Sequence, residues 1–374
     1  MGEGRRIYLV RHGEIYEEDE IHRCLGHTDI PMTKRGERQA EKTAKWFWDK
    51  DISVIYSSPL QRCVKTAQII SRQKEELRIK IRILDGLKEV DAGKWENLSF
   101  EAIRREYPEE YKARGRELGY YAFPEGESFC QAGIRFGRCL EEIQKNGNGD
   151  IVIVAHAGVM RGYLSVLLGI SPNDVFTIPQ PCAGITILKE TDRGLEPEKI
   201  GWRMPDFLDK EEIRYLYHKC GTPEGTVRHM EAAARFIGIL EGKMKCSDYR
   251  WNLLRKAALV HDVCRTQKDH AKAGAGILRK EGYWEIAKLV EGHHSSEGTV
   301  DTEQGETSAL SEEDLLFYAD KRVQEDRIVS LDDRFGVSIG KCSAPEAKEK
   351  HQRLYKKAID IERKIERAAG GKGK

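Results

Sequence analysis

IYLVRHGE, residues 7–14, is an apolar run that stops abruptly at Arg11-His12-Gly13-Glu14. A short apolar stretch closed by a turn residue reads as a buried strand. Two further runs share this design. VIYS (54–57) ends at Ser58-Pro59, and IVIVA (151–155) ends in His156-Ala157-Gly158. Helical patterns lie between them. Thr33 caps a helix over 34–49, Ser58 with Pro59 starts another over 59–72, and Gly158 begins an apolar helix reaching Leu168. Strand–helix alternation predicts an α/β sandwich of three layers, a sheet with helices on its faces. Ligands of such sheets bind just beyond the carboxyl ends of strands. Arg11, His12, Arg62 and His156 are therefore expected in one pocket.

The pattern lapses between Lys189 and Asp209, where charges accompany two prolines and two glycines. Residues 193–208 read as a linker, which makes 1–192 one domain. From Asp209 the chain reads as an all-α bundle over 209–366, with a flexible tail at 367–374. Thr222-Pro223-Glu224 opens a helix in which Val227, Met230, Ala234 and Ile237 follow at three- and four-residue spacing. Further helices are predicted over 253–264, 272–281, 284–293 and 311–325, with an exposed loop at 297–309.

Composition narrows the function. The 374 residues suit two domains. With 63 basic and 62 acidic side chains the net charge is +1, without the basic excess of a nucleic-acid binder. The nine cysteines are odd in number and include no C-x-x-C pair, a pattern that fits a reduced cytosol. The first apolar run is too short for a signal peptide, and no run of 18 apolar residues occurs. A cytoplasmic protein without a membrane partner is expected.

The Arg11-His12-Gly13-Glu14 segment has companions in order along the chain. They are Gly26, Asp29, Pro31, Thr33, Gly36 and Gln39-Ala40; then Ser57-Ser58-Pro59-Leu60 with Arg62 and Thr66-Ala67; then Glu89 and Trp95; then His156-Ala157-Gly158-Val159 with Arg161. Together these resemble the histidine phosphatase superfamily, the phosphoglycerate-mutase-like fold, over about residues 5–190. The stretch RCLGHTDIPMT looks most like its α-ribazole phosphatase branch.

The resemblance implies a metal-independent, cofactor-free phosphatase site. His12 would attack phosphorus and carry the phosphoryl group. Arg11 and Arg62 would bind the dianion through forked donors, and His156, if protonated, would add another. Glu89, rather than its neighbour Asp91, would protonate the leaving alkoxide and then deprotonate water. Arg161 reads equally as a helix-surface cation or a pocket residue. One departure stands out. Family members often carry Thr-x-Trp-Asn after Arg-His-Gly-Glu, whereas here the run is Ile15-Tyr16-Glu17-Glu18. His22 or Arg23 is the candidate replacement in substrate binding. The acidic Glu17, Glu18, Asp19 and Glu20 would repel a highly anionic substrate, which favours a monophosphate phosphatase over a bisphosphoglycerate-dependent mutase.

In the second half, His261-Asp262 closes an apolar helix, with His229 before it and His270, His293-His294 and Asp320 after it. This ordered series resembles the HD phosphohydrolase superfamily over about 210–330. Imidazole and carboxylate ligands suit one or two divalent transition metals, Fe, Mn, Zn, Co or Ni. The resemblance implies that His229, His261, Asp262 and Asp320 hold one metal. His270, His293 or His294 would hold a second, or contact substrate. His218, beside Tyr217 and Lys219, reads as surface.

The expectation is a bifunctional phosphohydrolase acting on a small phosphorylated metabolite and on a phosphate ester or anhydride, with a nucleotide as a candidate for the second site. Two rivals stand beside it: a phosphatase gated by a non-catalytic, nucleotide-binding HD module, and a mutase in the first half. Specificity is expected to lie in 100–130 and 295–310.

Overall fold

The computed structural model describes residues 4–17, 20–72, 79–147, 149–244, 248–293, 310–340 and 344–370. The chain forms two compact units, Met1–Arg203 with Lys280–Gly282, and Met204–Arg279 with Tyr283–Lys374.

The first unit runs β1 (Arg6–Arg11), α1 (Lys34–Trp46), β2 (Ile52–Ser57), α2 (Gln61–Ser71), β3 (Ile81–Ile83), α3 (Phe100–Glu106), α4 (Pro108–Arg116), α5 (Phe129–Gln144), β4 (Asp150–Ala155), α6 (Ala157–Leu167), β5 (Ile185–Thr191) and β6 (Gly194–Trp202). The six strands form one sheet in the order β3-β2-β4-β1-β5-β6. The first four are parallel, and β5 and β6 are antiparallel additions. Side chains alternate across the sheet. Ile7 and Leu9 of β1 enter one core with Phe136 of α5 and Met160 of α6. Tyr8 and Val10 enter the other with Ala40 of α1 and Ile70 of α2. The sheet is thus buried on both faces, as the three-layer expectation requires.

The stretch read as a linker, 193–208, proved different. Gly194–Trp202 is an edge strand paired to β5. Its charges sit on exposed positions, and Pro197 lies where only one neighbour requires hydrogen bonds. An edge strand tolerates both features, so composition alone mimicked a linker.

The second unit contains α7 (Lys210–Cys220), α8 (Glu224–Met244), α9 (Trp251–Val260), α10 (His270–Lys280), α11 (Trp284–Gly292), α12 (Glu312–Lys321), β7 (Val323–Gln324), β8 (Arg327–Ile328), α13 (Leu331–Ile339) and α14 (Pro345–Gly370). Asp209 caps α7 by accepting the Glu211 and Glu212 amides, and Gly221 ends it at φ 59° in the left-handed region. Helices α8, α9, α11 and α12 pack on one another through buried Met230, Ala233, Leu254, Ala257, Ile286 and Leu316. The helix expected over 311–325 stops at Lys321, because Val323–Gln324 pairs with Arg327–Ile328 in a tight hairpin. The tail expected from 367 is helical to Gly370. The loop expected at 297–309 lies outside the described residues.

Candidate active sites

Strands β1 and β4 run side by side with Arg11 opposite Ala155. The residue after each strand is a histidine, so the pairing that builds the sheet also brings His12 to His156. Their ring centroids are 5.1 Å apart. The His12 amide donates to Ala155 O at 3.1 Å and holds this register past the strand end.

His12 Nδ1 lies 2.7 Å from Gly13 O. A carbonyl only accepts, so Nδ1 carries the proton and Nε2 keeps its lone pair. Burial, with Arg11 and Arg62 beside it, holds the His12 pKa well below the usual value. The result is a neutral imidazole with a nucleophilic Nε2.

Arg62, on the first turn of α2, is buried and anchored to Thr28 O at 2.8 Å and Gly26 O at 2.9 Å. Its Nε donates to His156 Nδ1 at 3.3 Å, and His156 Nε2 lies 2.8 Å from Ser58 Oγ. Burial and then Arg62 hold the His156 pKa well below normal. In this arrangement Nδ1 accepts from Arg62, so the ring proton lies on Nε2. His156 is neutral and donates through Nε2–H. Arg11 NH1 donates to Gln180 O at 2.7 Å, while its buried Nε has no hydrogen-bond partner among the described residues.

Glu89 sits at the start of α6. Its Oε2 accepts the Gly158 amide at 2.9 Å, and its Oε1 accepts those of Val159 and Val90 at 2.7 and 2.9 Å. A Cβ on residue 158 would come within 2.6 Å of Glu89 Oε1, so glycine makes room for the carboxylate. Asp91 instead accepts from the Gly93 amide.

Beside Glu89 opens a cavity of about 180 Å³ lined by Arg23, Arg114 and Arg161 and walled by Phe100, Phe123 and Phe176. Arg161 is thereby a pocket residue. It donates to Ile178 O at 2.9 Å, lies over the Phe176 ring at 5.3 Å, and burial pulls its pKa down to about 10. Arg23 donates to Asn97 O at 2.9 Å. His22 stacks on Tyr16 at 4.4 Å and does not line this cavity. Glu18 and Asp19 lie outside the described residues.

Arg114 escaped the sequence analysis. Its helix, α4, buries no residue, so no periodicity marks it. Its Nε is nevertheless buried with no hydrogen-bond partner among the described residues, and its guanidinium lies 5.9 Å from the Phe123 ring centre.

In the second unit side chains from or beside five helices converge. His229 comes from α8, His261-Asp262 follows α9, His270 begins α10, His293 follows α11 and Asp320 is near the end of α12. His294 lies outside the described residues. Two overlapping sets place ligand atoms within 4.8 Å of one another: His229, His261 and Asp262, and Asp262, His270 and His293. Asp320 Oδ1 is 3.0 Å from His229 Nε2 and 3.7 Å from His261 Nε2. Asp262 Oδ1 is 3.1 Å from His270 Nε2 and 3.7 Å from His293 Nε2.

The donor set fits a divalent transition metal. His261 and His293 give Nδ1 to the carbonyls of Ala258 and Val290, which aims each Nε2 inward. The buried His261 Nε2 has no hydrogen-bond partner among the described residues. Burial opposes charge on Asp320, yet Lys321, His229 and His261 hold its carboxyl well below the usual range. Burial likewise opposes charge on Asp262, and His261, His270 and His293 outweigh it. Both carboxylates are thus ionised, as ligands must be. Arg265, three residues after Asp262, reaches Asp262 Oδ2 at 3.3 Å and was also missed. His218 is part of neither set.

Comparison with known proteins agrees with both halves. The model of the histidine phosphatase superfamily (branch 1) matches residues 7–203, and that of the HD domain matches residues 226–336. "Phosphoserine phosphatase 1" of Hydrogenobacter thermophilus is 31% identical over 189 residues, 50% of this chain and 88% of that protein. Human "6-phosphofructo-2-kinase/fructose-2,6-bisphosphatase 3" is 29% identical over 198 residues, 52% of this chain but only 36% of that longer protein. Among solved structures, the alpha-ribazole phosphatase from Shigella flexneri is 24% identical with a TM-score of 0.47, covering 52% of this chain and 96% of that one. Among the described residues no helix is long and apolar enough to cross a membrane.

Proposed function

Because the chain belongs to the histidine phosphatase superfamily, we propose that its first unit hydrolyses a small phosphomonoester through a phosphoryl group carried on His12. The observation that carries this reading is the pair of neutral imidazoles 5.1 Å apart, flanked by Arg11 and Arg62. Nε2 of His12 attacks phosphorus and the P–O bond to the leaving alcohol breaks. Arg11 and Arg62 take the charge on the transferring oxygens, and His156 adds a donor when its Nε2–H turns from Ser58 Oγ to the phosphoryl group. Glu89 gives its proton to the departing alkoxide, then takes one from water as that water displaces His12 from phosphorus. No metal or cofactor is assigned a step.

The leaving alcohol would occupy the cavity beside Glu89. Three arginines there against one carboxylate favour an alcohol that itself carries an anionic group, and Arg23 is assigned to substrate binding. A phosphorylated hydroxy or amino acid fits, such as the phosphoserine in the name of the Hydrogenobacter relative. The test is rapid acid-free quenching with phosphorus-labelled substrate. Label on wild-type protein and none on His12→Ala supports the mechanism. Label passing to sugar phosphate and not to water would favour the mutase.

The second unit is proposed to be a metal-dependent phosphohydrolase of the HD type. His229, His261, Asp262 and Asp320 would hold one divalent ion of Fe, Mn, Zn, Co or Ni, and Asp262, His270 and His293 a second. A bound metal would supply Lewis acidity and an activated water. Asp262 belongs to both sets, which favours two ions over one. A phosphate ester or anhydride, a nucleotide among them, is the proposed substrate. A metal-free protein that still binds nucleotide would point to a regulatory module instead. The free cysteines among the described residues support a cytoplasmic location.

A further inference from the structure

The cavity over the second cluster has a volume of about 230 Å³ and is lined by three cations, Arg265, Lys321 and Arg334. Two are paired with the ligand carboxylates themselves. Arg265 NH1 is 3.3 Å from Asp262 Oδ2, and Lys321 Nζ is 2.6 Å from Asp320 Oδ2. Arg334 differs. It stands on α13, which supplies none of the histidines or aspartates. Its Nε is buried with no hydrogen-bond partner, and no carboxylate pairs with its guanidinium among the described residues. Glu325 lines the same cavity without pairing to it.

A buried donor without an acceptor is costly, and the cost is relieved when a ligand accepts from it. A guanidinium fork matches the oxygens of a phosphoryl group. A phosphoryl group at the His/Asp cluster already has Arg265 and Lys321 beside it. Arg334 makes no ion pair with Asp262 or Asp320 among the described residues, yet lines the same cavity.

We propose that Arg334 binds the second phosphoryl group of a phosphoanhydride whose first phosphoryl group lies at the His/Asp cluster. This rests on reading the cluster as a metal site, and it narrows the substrate from any phosphate ester to a molecule with two linked phosphoryl groups.

The test is calorimetric titration of the manganese-loaded full chain with methylenediphosphonate and with orthophosphate. Wild type, Arg334→Ala and Arg334→Lys are compared, with metal content measured on each sample by mass spectrometry. Binding at the first site is common to all three proteins and cancels. Arg334→Ala should weaken diphosphonate binding by roughly ten- to hundredfold and leave orthophosphate binding and metal content unchanged. Arg334→Lys should fall between and carries the comparison if the alanine variant is poorly folded. Equal weakening for both probes, or none with metal retained, overturns the proposal. Wild type that takes up no metal sinks the metal reading alone if Arg334→Ala still loses diphosphonate selectively. It sinks both if nothing changes.

Discussion

Arg62 donates its Nε–H to Nδ1 of His156 at 3.3 Å, so a permanent cation fixes which nitrogen of that imidazole bears the proton. Burial keeps protons off both active-site histidines, and the charge of Arg62 adds to it, after Arg11 at His12 and as the leading charge at His156. Histidine-selective nitrogen spectra at pH 6 should show His12 and His156 neutral, His12 with its proton on Nδ1. In Arg62→Ala both should titrate at higher pH, and turnover should fall about 10²- to 10³-fold. A charged His12 in wild type at pH 6 contradicts the arrangement.

The sign of the stability effect follows. Both folded-state pKa values lie below the unfolded value near ~6.5, so the unfolded chain binds protons first as pH drops. The contribution of these neutral histidines is complete above that value and is lost as pH falls towards the depressed folded values. Thermal melts of wild type and His156→Asn across pH 7 to 5 measure it: the variant should lose less Tm on acidification.

Glu89 and Gly158 act as one device. Gly158→Ala should push the carboxylate off its amides, and Glu89→Gln should remove the proton donor. Each should slow hydrolysis of alkyl phosphates, Glu89→Gln by about 10²- to 10⁴-fold. p-Nitrophenyl phosphate, whose leaving group departs without a proton, should be affected far less. Equal losses on both substrates would remove Glu89 from the acid role.

Arg114→Ala should raise KM for a carboxylate-bearing phosphomonoester by roughly ten- to hundredfold and leave a neutral sugar phosphate unaffected. Steady-state kinetics on the pair decides whether the arginine cavity selects charge.

Chelation should separate the two units. EDTA should abolish activity at the second site and spare the first. His12→Ala should abolish only EDTA-resistant turnover, and His261→Ala only EDTA-sensitive turnover, with loss of bound metal. Loss of both activities in either variant would refute two independent sites.

The strand-end histidines were legible in the sequence because an apolar run followed by a turn places the next polar residue at a sheet edge. Parallel neighbours then bring Arg11, His12 and His156 together whatever lies between. The HD ligands were legible for a similar reason, since His261, Asp262, His270, His293 and Asp320 stand at or beside helix ends and His229 lies in the second turn of α8. Arg114 and Arg334 were not. Both stand on helices that turn few side chains inward, so no periodicity marks them, and the cavities they line are built with residues from other segments. β6 was misread because its charged, proline-bearing strand needs only one paired edge. The lowered pKa of His156 could not be read either, since it depends on the burial of the ring and on Arg62 lying against it.

The adjacency of β1 and β4 also has a bearing on biosynthesis. His12 leaves the ribosome well before Ala155, where the strand that seats it opposite its partner imidazole is completed. A nascent chain stalled before that point has a nucleophile and no pocket, whereas one stalled after residue 203 already carries every group assigned to phosphate transfer. The helical half, whose ligands run from His229 to Asp320, reaches that stage only later in translation.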